Sequence, residues 1–313
     1  MIAEKIIIGD KFPLDGLLTL PDGDAPFPAI VLVHGSGPND IDEKIGNCYC
    51  FRDLAEGFAE RGIATIRYNK RTKTYGKQMV KGKKDTGDLT VWDETIEDAL
   101  FATEILRKDS RIDPNKIYIA GHSMGAMLAP RIDAEGGNYT GLILLAGSPR
   151  RLEEIMIDQQ DEAIKNMNPV IKWIANKQIK KFRANMDGMY EMSDEQAKKT
   201  NVLGKYIKVY YLKEWGEKPA VNYLQNLTKP IFITQGDADF HVSVDLDFNK
   251  YKEIMADKPN ATFKLYPNLN HLFMQTVYGN NISKGMKEYK KPQKVEGYVM
   301  DDITAWIKGE FQG

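Results

Sequence analysis

The stretch KIYIAGHSMGAMLAP, residues 116–130, constrains the fold more than any other part of the chain. A β-branched apolar run ends at Gly121, Ser123 follows two residues later, and Gly125 stands two beyond it, where helical periodicity begins. A strand that turns this sharply into a helix forces its middle residue into a strained backbone. The glycines avoid side-chain clashes there, and the serine hydroxyl is lifted above the end of a sheet. The following helix also presents its N-terminal amides to that point, where they favour negative charge. The alternative for such a serine is an ordinary helix N-cap beside packing glycines.

The rest of the chain supplies the sheet. Two short apolar runs, KIIIG and GLLTLP, predict an antiparallel hairpin at the start. PAIVLVHG, IATIRYN, KIYIAG and GLILLAGS then read as strands, the first continuous enough to be buried on both faces. Phe51–Ala59, VWDETIEDALFATEILR and AMLAPRI between them carry helical spacing. This alternation predicts an α/β fold with a doubly wound, mostly parallel sheet. From Pro149 to about Leu227 the pattern breaks into charged, methionine-rich helical runs with no convincing strand, and it resumes with PIFITQG, ATFKLYP and a final helix near VEGYVMDDITAWIKG. The expected organisation is one core of residues 1–149 and 228–313, with residues 150–227 as an inserted helical cap.

A serine hydroxyl needs a base, and the chain has four histidines. His34 ends a strand, and His122 adjoins Ser123 on the same tight turn, so both read as structural. His241 sits in a loop. His271, in the loop NLNHLF after ATFKLYP, is the expected base because it emerges at the sheet end that carries Ser123. The loop FITQGDADFHV offers two acids to orient it. Asp239, three residues past Gly236, has room to turn back toward the histidine, whereas Asp237 suits the turn itself. The order Ser123, Asp239, His271 is that of the α/β-hydrolase fold. The small residues of HGSGPND supply amides for a developing oxyanion, and the expected pair of donors is the backbone N–H groups of Ser36 and Met124.

Composition narrows the partners. The 43 basic and 44 acidic residues leave no broad field to attract nucleic acid or an anionic membrane, so a neutral small molecule is expected. The lysine-rich segment Lys70–Lys84 lacks interleaved aromatics and reads as a solvated loop. Cys48 and Cys50, one residue apart, suit neither a mutual disulfide nor a zinc site, and they are expected as reduced thiols in a cytoplasmic protein. No apolar run approaches a membrane span, and no signal-peptide pattern opens the sequence, although a chain trimmed of a leader would read the same. No metal and no organic cofactor is implied. Homo-oligomerisation is left open.

The segments VLVHGSGPNDIDEKIGN, RYNKRTKTYG, GHSMGAMLAP, LAGSPRRLEEI and PNLNHLF together resemble bacterial carboxylesterases of the α/β-hydrolase superfamily, in particular the group with HGSGPND and RYDKR motifs. The resemblance covers nearly the whole chain. It implies a serine esterase working through an acyl-enzyme, with cinnamoyl and feruloyl esterases as neighbouring relatives. Some of the closer relatives carry an additional N-terminal domain that is not in this sequence. Asn69 stands where the group usually has aspartate, so a charge interaction at that position does not carry over. Thioesterases and peptidases use the same constellation, and a non-catalytic homologue that binds ligand is the remaining alternative. The expected substrates are uncharged esters with small to medium or aromatic acyl groups. Of the methionines and aromatics in the inserted segment, Trp215, Tyr211 and Met189 are the expected contacts, with Met167 and Tyr206 among the wider set.

Overall fold

A computed structural model describes residues 1–81, 88–165, 168–203, 207–279 and 281–312. The strands are β1 (Ile2–Ile8), β2 (Leu14–Leu20), β3 (Phe27–Val33), β4 (Ala64–Tyr68), β5 (Ile112–His122), β6 (Gly141–Leu145), β7 (Ile231–Gly236) and β8 (Ala261–Tyr266). They form one eight-stranded sheet in the order β1-β2-β4-β3-β5-β6-β7-β8. Strands β1 and β2 pair antiparallel, as the opening apolar runs predict, and β2 joins the sheet antiparallel to β4. Every pairing from β4 through to β8 is parallel.

The continuous apolar runs are explained by cover on both faces. On β3, Ile30 and Leu32 face a core shared with helix α1 (Cys50–Glu60), whereas Ala29, Val31 and Val33 face the opposite core. Strand β6 divides in the same way, with Ile143 and Leu145 on the first side and Leu142 and Leu144 on the second. The second side is covered by α3 (Glu97–Lys108), which follows a π-helical turn at Trp92–Ile96, and by α4 (Met124–Ile132). Helices α10 (Asn249–Ile254) and α11 (Gly297–Lys308) complete the alternation.

Between β6 and β7 lie α5 (Leu152–Lys165), α6 (Pro169–Met186), α7 (Asp194–Lys199), α8 (Val209–Glu217) and α9 (Ala220–Leu224). A small antiparallel ladder joins Asn201–Leu203 to Ile207–Lys208, where the sequence carries no convincing strand signal. Strands of three and two residues are too short to leave a period-2 signature.

The lysine-rich segment also departs from expectation. Arg71–Lys81 is a helix, α2, and Lys70 and Arg71 at its start are buried. Lys70 pairs with Glu94 at 2.8 Å, and the Arg71 guanidinium with Glu97 and Asp98. The segment's last three residues fall outside the described set. Asn69 performs its task without a charge, since its Oδ1 accepts the Ile41 N–H at 2.8 Å, which an amide does as well as a carboxylate. Cys48 and Cys50 are both buried and unpaired, and burial pushes both thiols up. Among the described residues no helix is long and apolar enough to cross a membrane.

Candidate active site

The parallel strands end together. Val33 of β3 is level with Gly121 of β5, and His122 with Leu145 of β6, so the loops after these strands open on one edge of the sheet. Ser123 occupies the turn from β5 into α4 with φ 53° and ψ −114°, a conformation that costs about 1–3 kcal/mol and persists only where its surroundings enforce it. The enforcement is visible. The Ser123 N–H donates to the Leu145 carbonyl at 2.8 Å, and the turn is wedged so tightly that a Cβ at Gly125 would stand 2.1 Å from the Val33 carbonyl oxygen. A Cβ at Gly121 would meet the Gly125 backbone at 2.2 Å. Both glycines are therefore required by close approach rather than by positive φ.

His271 and Asp239 come from the loops after β8 and β7. Asp239 Oδ2 accepts from His271 Nδ1 at 2.7 Å. Its other oxygen takes the backbone N–H groups of His241 (2.7 Å) and Val242 (3.0 Å), which leaves the carboxylate one orientation. Burial alone would raise the Asp239 carboxyl, yet the His271 ring and these amides outweigh it and hold the group below the usual carboxylate range. Asp237 accepts the Asn268 N–H at 2.6 Å and so ties the β7 loop to the β8 loop.

The other three histidines surround this pair. His34 stacks on Phe51 and bonds the Tyr68 carbonyl through Nε2. His122 donates through Nε2 to the His271 carbonyl at 3.0 Å and lies 3.0 Å from the buried Glu43 carboxylate through Nδ1. His241 packs 4.7 Å from the His271 ring, and burial together with the charge on its histidine neighbours pushes its pKa down to about 3.

Ser123, His271, Ser36, Met124 and His241 line a single cavity of about 710 Å³. Its walls are mostly apolar, with Met79, Leu89 and Met127 from the core and Leu152, Ile155, Met156, Ile207 and Tyr211 from the inserted segment. Tyr211 is thus on the wall, as expected from sequence. Trp215 and Met189 are not: both are buried within the hydrophobic core on the α4 side of the sheet. Met167 and Tyr206 lie outside the described residues. Trp215 lies one turn beyond Tyr211 on α8, its ring edge-on to the tyrosine with centroids 6.3 Å apart, so it buttresses the wall from behind. Among the described residues one carboxylate, Glu94, which sequence reading passes over, also lines the cavity. Burial would raise its carboxyl, but the Lys70 ammonium and the Tyr211 hydroxyl hold it below its ordinary range. Among the described residues no group of three or more His, Cys, Asp or Glu side chains is arranged to hold a metal ion.

Residues 24–276 match the family model described as serine aminopeptidase, S33. The chain belongs to that family. As a member, it is 35% identical over 299 residues to esterase EstD of Thermotoga maritima, an alignment that covers 94% of this chain and 65% of that protein, so the chain spans about two thirds of the relative's length. The S33-family chain is also similar in structure to Est1E from Butyrivibrio proteoclasticus, with a TM-score of 0.57 over 98% of both chains at 17% identity. A puromycin-hydrolyzing peptidase of Mycobacterium tuberculosis gives 0.56 at 13% identity, over 98% of this chain and 39% of that one. At such identities the likeness is one of fold, and the fold is that of the α/β-hydrolases.

Proposed function

We propose that the protein is a serine carboxylesterase. Ser123 attacks the ester carbonyl, His271 accepts the hydroxyl proton through Nε2 and returns it to the leaving alcohol, and Asp239 holds the His271 tautomer and stabilises the imidazolium. The N–H groups of Ser36 and Met124 take the oxyanion. Water then hydrolyses the acyl-enzyme by the same proton path in reverse roles. These steps call on side chains, amides and water alone.

The observation that carries the reading is the meeting of a strained Ser123 and an Asp239-held His271 on one largely apolar cavity. The similarity to a curated esterase supports ester cleavage over other acyl transfers. The cavity supports uncharged esters with small to medium or aromatic acyl groups, feruloyl and cinnamoyl esters included, because methionine and leucine walls favour apolar groups. Aminopeptidase action is less well served. Glu94, the carboxylate on the wall, is already matched by Lys70 and Tyr211 and is not free to pair with a substrate ammonium. Residues 150–227 act in this reading as a cap, since they furnish much of the wall over Ser123.

The test is a panel of nitrophenyl esters from acetate to long acyl chains, with hydroxycinnamate esters, a thioester and an aminoacyl amide, run on wild type and Ser123→Ala. The expected result is turnover of the uncharged esters and a loss of several orders of magnitude, on the order of 10⁴-fold or more, in the folded variant. Near-wild-type turnover by Ser123→Ala would remove the reading, and a preference for the amide or thioester would reassign the substrate.

A further inference from the structure

The buried lysine that follows β4 has no place in the chemistry above, yet all its reachable partners belong to the candidate site. Lys70 is 2% exposed. Its ammonium donates to the Gly35 carbonyl at 2.9 Å and to Glu94 Oε1 at 2.8 Å, and reaches Met124 Sδ at 3.6 Å. Three donors thus meet three acceptors. Burying an ammonium is costly unless each proton is used, so a lysine here signals a task that a methionine of similar length does not perform.

The Gly35 carbonyl is the informative partner. It shares one peptide unit with the Ser36 N–H, and in a planar trans peptide the two point in opposite directions. Ser36 lines the cavity with Ser123, and a Cβ on Gly35 would stand 3.2 Å from the Ser123 Cβ, so this peptide lies against the Ser123 turn. Holding the carbonyl on Lys70 therefore also fixes the direction of the Ser36 N–H, opposite to it. Asn39 Nδ2 also donates to the Gly35 carbonyl at 3.1 Å, and the preceding peptide is held through the Gly35 N–H, which donates to Glu43 at 2.7 Å.

We propose that Lys70 is a positioning residue for the oxyanion hole: it locks the Gly35–Ser36 peptide with its N–H aimed at the reacting centre and polarises that peptide so that the N–H is a stronger donor. Glu94 fixes the ammonium in place, and Tyr211, whose hydroxyl donates to Glu94 Oε2 at 2.5 Å, ties this device to the inserted segment. The inference rests on the esterase reading, in which Ser36 is an oxyanion donor.

Donors aimed at an oxyanion act on the transition state more than on bound substrate, so the loss falls on kcat. In Lys70→Met, kcat on a short nitrophenyl ester should fall roughly 10²-fold. KM should stay within about threefold, and the affinity for an aryl trifluoromethyl ketone, which forms a tetrahedral oxyanion adduct with serine, should weaken by the same factor as kcat/KM. If the lone Glu94 charge prevents folding, Lys70→Met/Glu94→Gln removes both charges and should show the same losses. Folded variants with wild-type kcat, or with the loss confined to KM, would overturn the proposal. Ser123→Ala run in parallel separates the two readings. An inactive Ser123→Ala beside fully active Lys70 variants refutes only the positioning role, whereas an active Ser123→Ala refutes the site itself.

Discussion

Glu43 and His122, both buried, face each other at 3.0 Å, carboxylate oxygen to Nδ1, beside the turn that carries Ser123. The other nitrogen of His122 bonds the His271 carbonyl, an acceptor only. The carboxylate facing one nitrogen and the carbonyl at the other both favour the charged ring over the neutral one. Burial alone would discharge it, but Glu43 outweighs burial and holds the His122 pKa above the usual histidine range, while His122 in turn holds Glu43 far below the carboxylate range.

A histidine raised on folding gives stability that is complete below its unfolded pKa, about 6.5, and is lost as pH rises through the folded value. A carboxylate lowered on folding gives stability present above its unfolded pKa and lost only as pH falls through the folded one. Glu43→Gln should therefore cost about 3 kcal/mol or more near pH 6, and the deficit relative to wild type should shrink as the solution is made alkaline. Urea unfolding at several pH values checks this. A deficit that does not vary with pH would mean that His122 is neutral.

The two aspartates of the β7 loop should separate cleanly. Asp239→Asn disturbs the His271 tautomer and should lower kcat by roughly 10²- to 10⁴-fold. Asp237→Asn still presents an oxygen to the Asn268 N–H and should stay close to wild type. Esterase kinetics on both variants decide it, and equal losses would mean that Asp239 is not the orienting acid.

His241 is held neutral, so it should cost stability in acid. Its pKa, near 3 in the fold against about 6.5 when unfolded, means that the unfolded chain takes up a proton that the native state refuses. Replacing it with glutamine should make the protein less acid-sensitive between about pH 6.5 and pH 3, by up to about 1.4 kcal/mol per pH unit. Unfolding curves against pH show whether the wild type and His241→Gln diverge as predicted by that slope.

Tyr211 and Trp215 should fail in different ways, although they sit one turn apart. Trp215→Ala empties a buried space and should cost about 3–5 kcal/mol while leaving the order of preference among esters unchanged. Tyr211→Ala opens the cavity wall and should change that order. Specificity constants across the ester panel, beside denaturant unfolding, distinguish them. A reordered panel in Trp215→Ala would put that ring in the wall after all.

The sheet was legible because parallel strands covered on both faces leave uninterrupted apolar runs, and PAIVLVHG and GLILLAGS are such runs. The Ser123 turn was legible because a serine flanked by two glycines, between a strand run and a helix run, is what a sharp strand-to-helix turn demands of its neighbours. Lys70 was not. A lysine run is ordinarily solvated, and the burial of this one depends on Glu94 in a π-helical turn and on a carbonyl at Gly35, neither of them near it in sequence. Glu43 was hidden because His34 and His122 read as structural, and nothing in the sequence separates it from Asp40 and Asp42 beside it as the carboxylate that turns back to both rings. Tyr211 and Trp215 could not be ranked because both are aromatic, on one face of α8, and only the position of the cavity tells front from back.

The chain of contacts from Gly35 through Lys70 and Glu94 to Tyr211 binds together four stretches that lie far apart in the sequence. It limits how chains of this fold can be recombined. A foreign segment grafted in place of residues 150–227 would bring its own apolar wall, but unless it also brought a hydroxyl to Glu94 it would leave that carboxylate facing an apolar chamber with one oxygen unmatched. Crossover points placed only at Pro149 and Leu227 therefore cut a shared circuit, and chimaeras should be built with residues 70, 94 and 211 inherited from one parent.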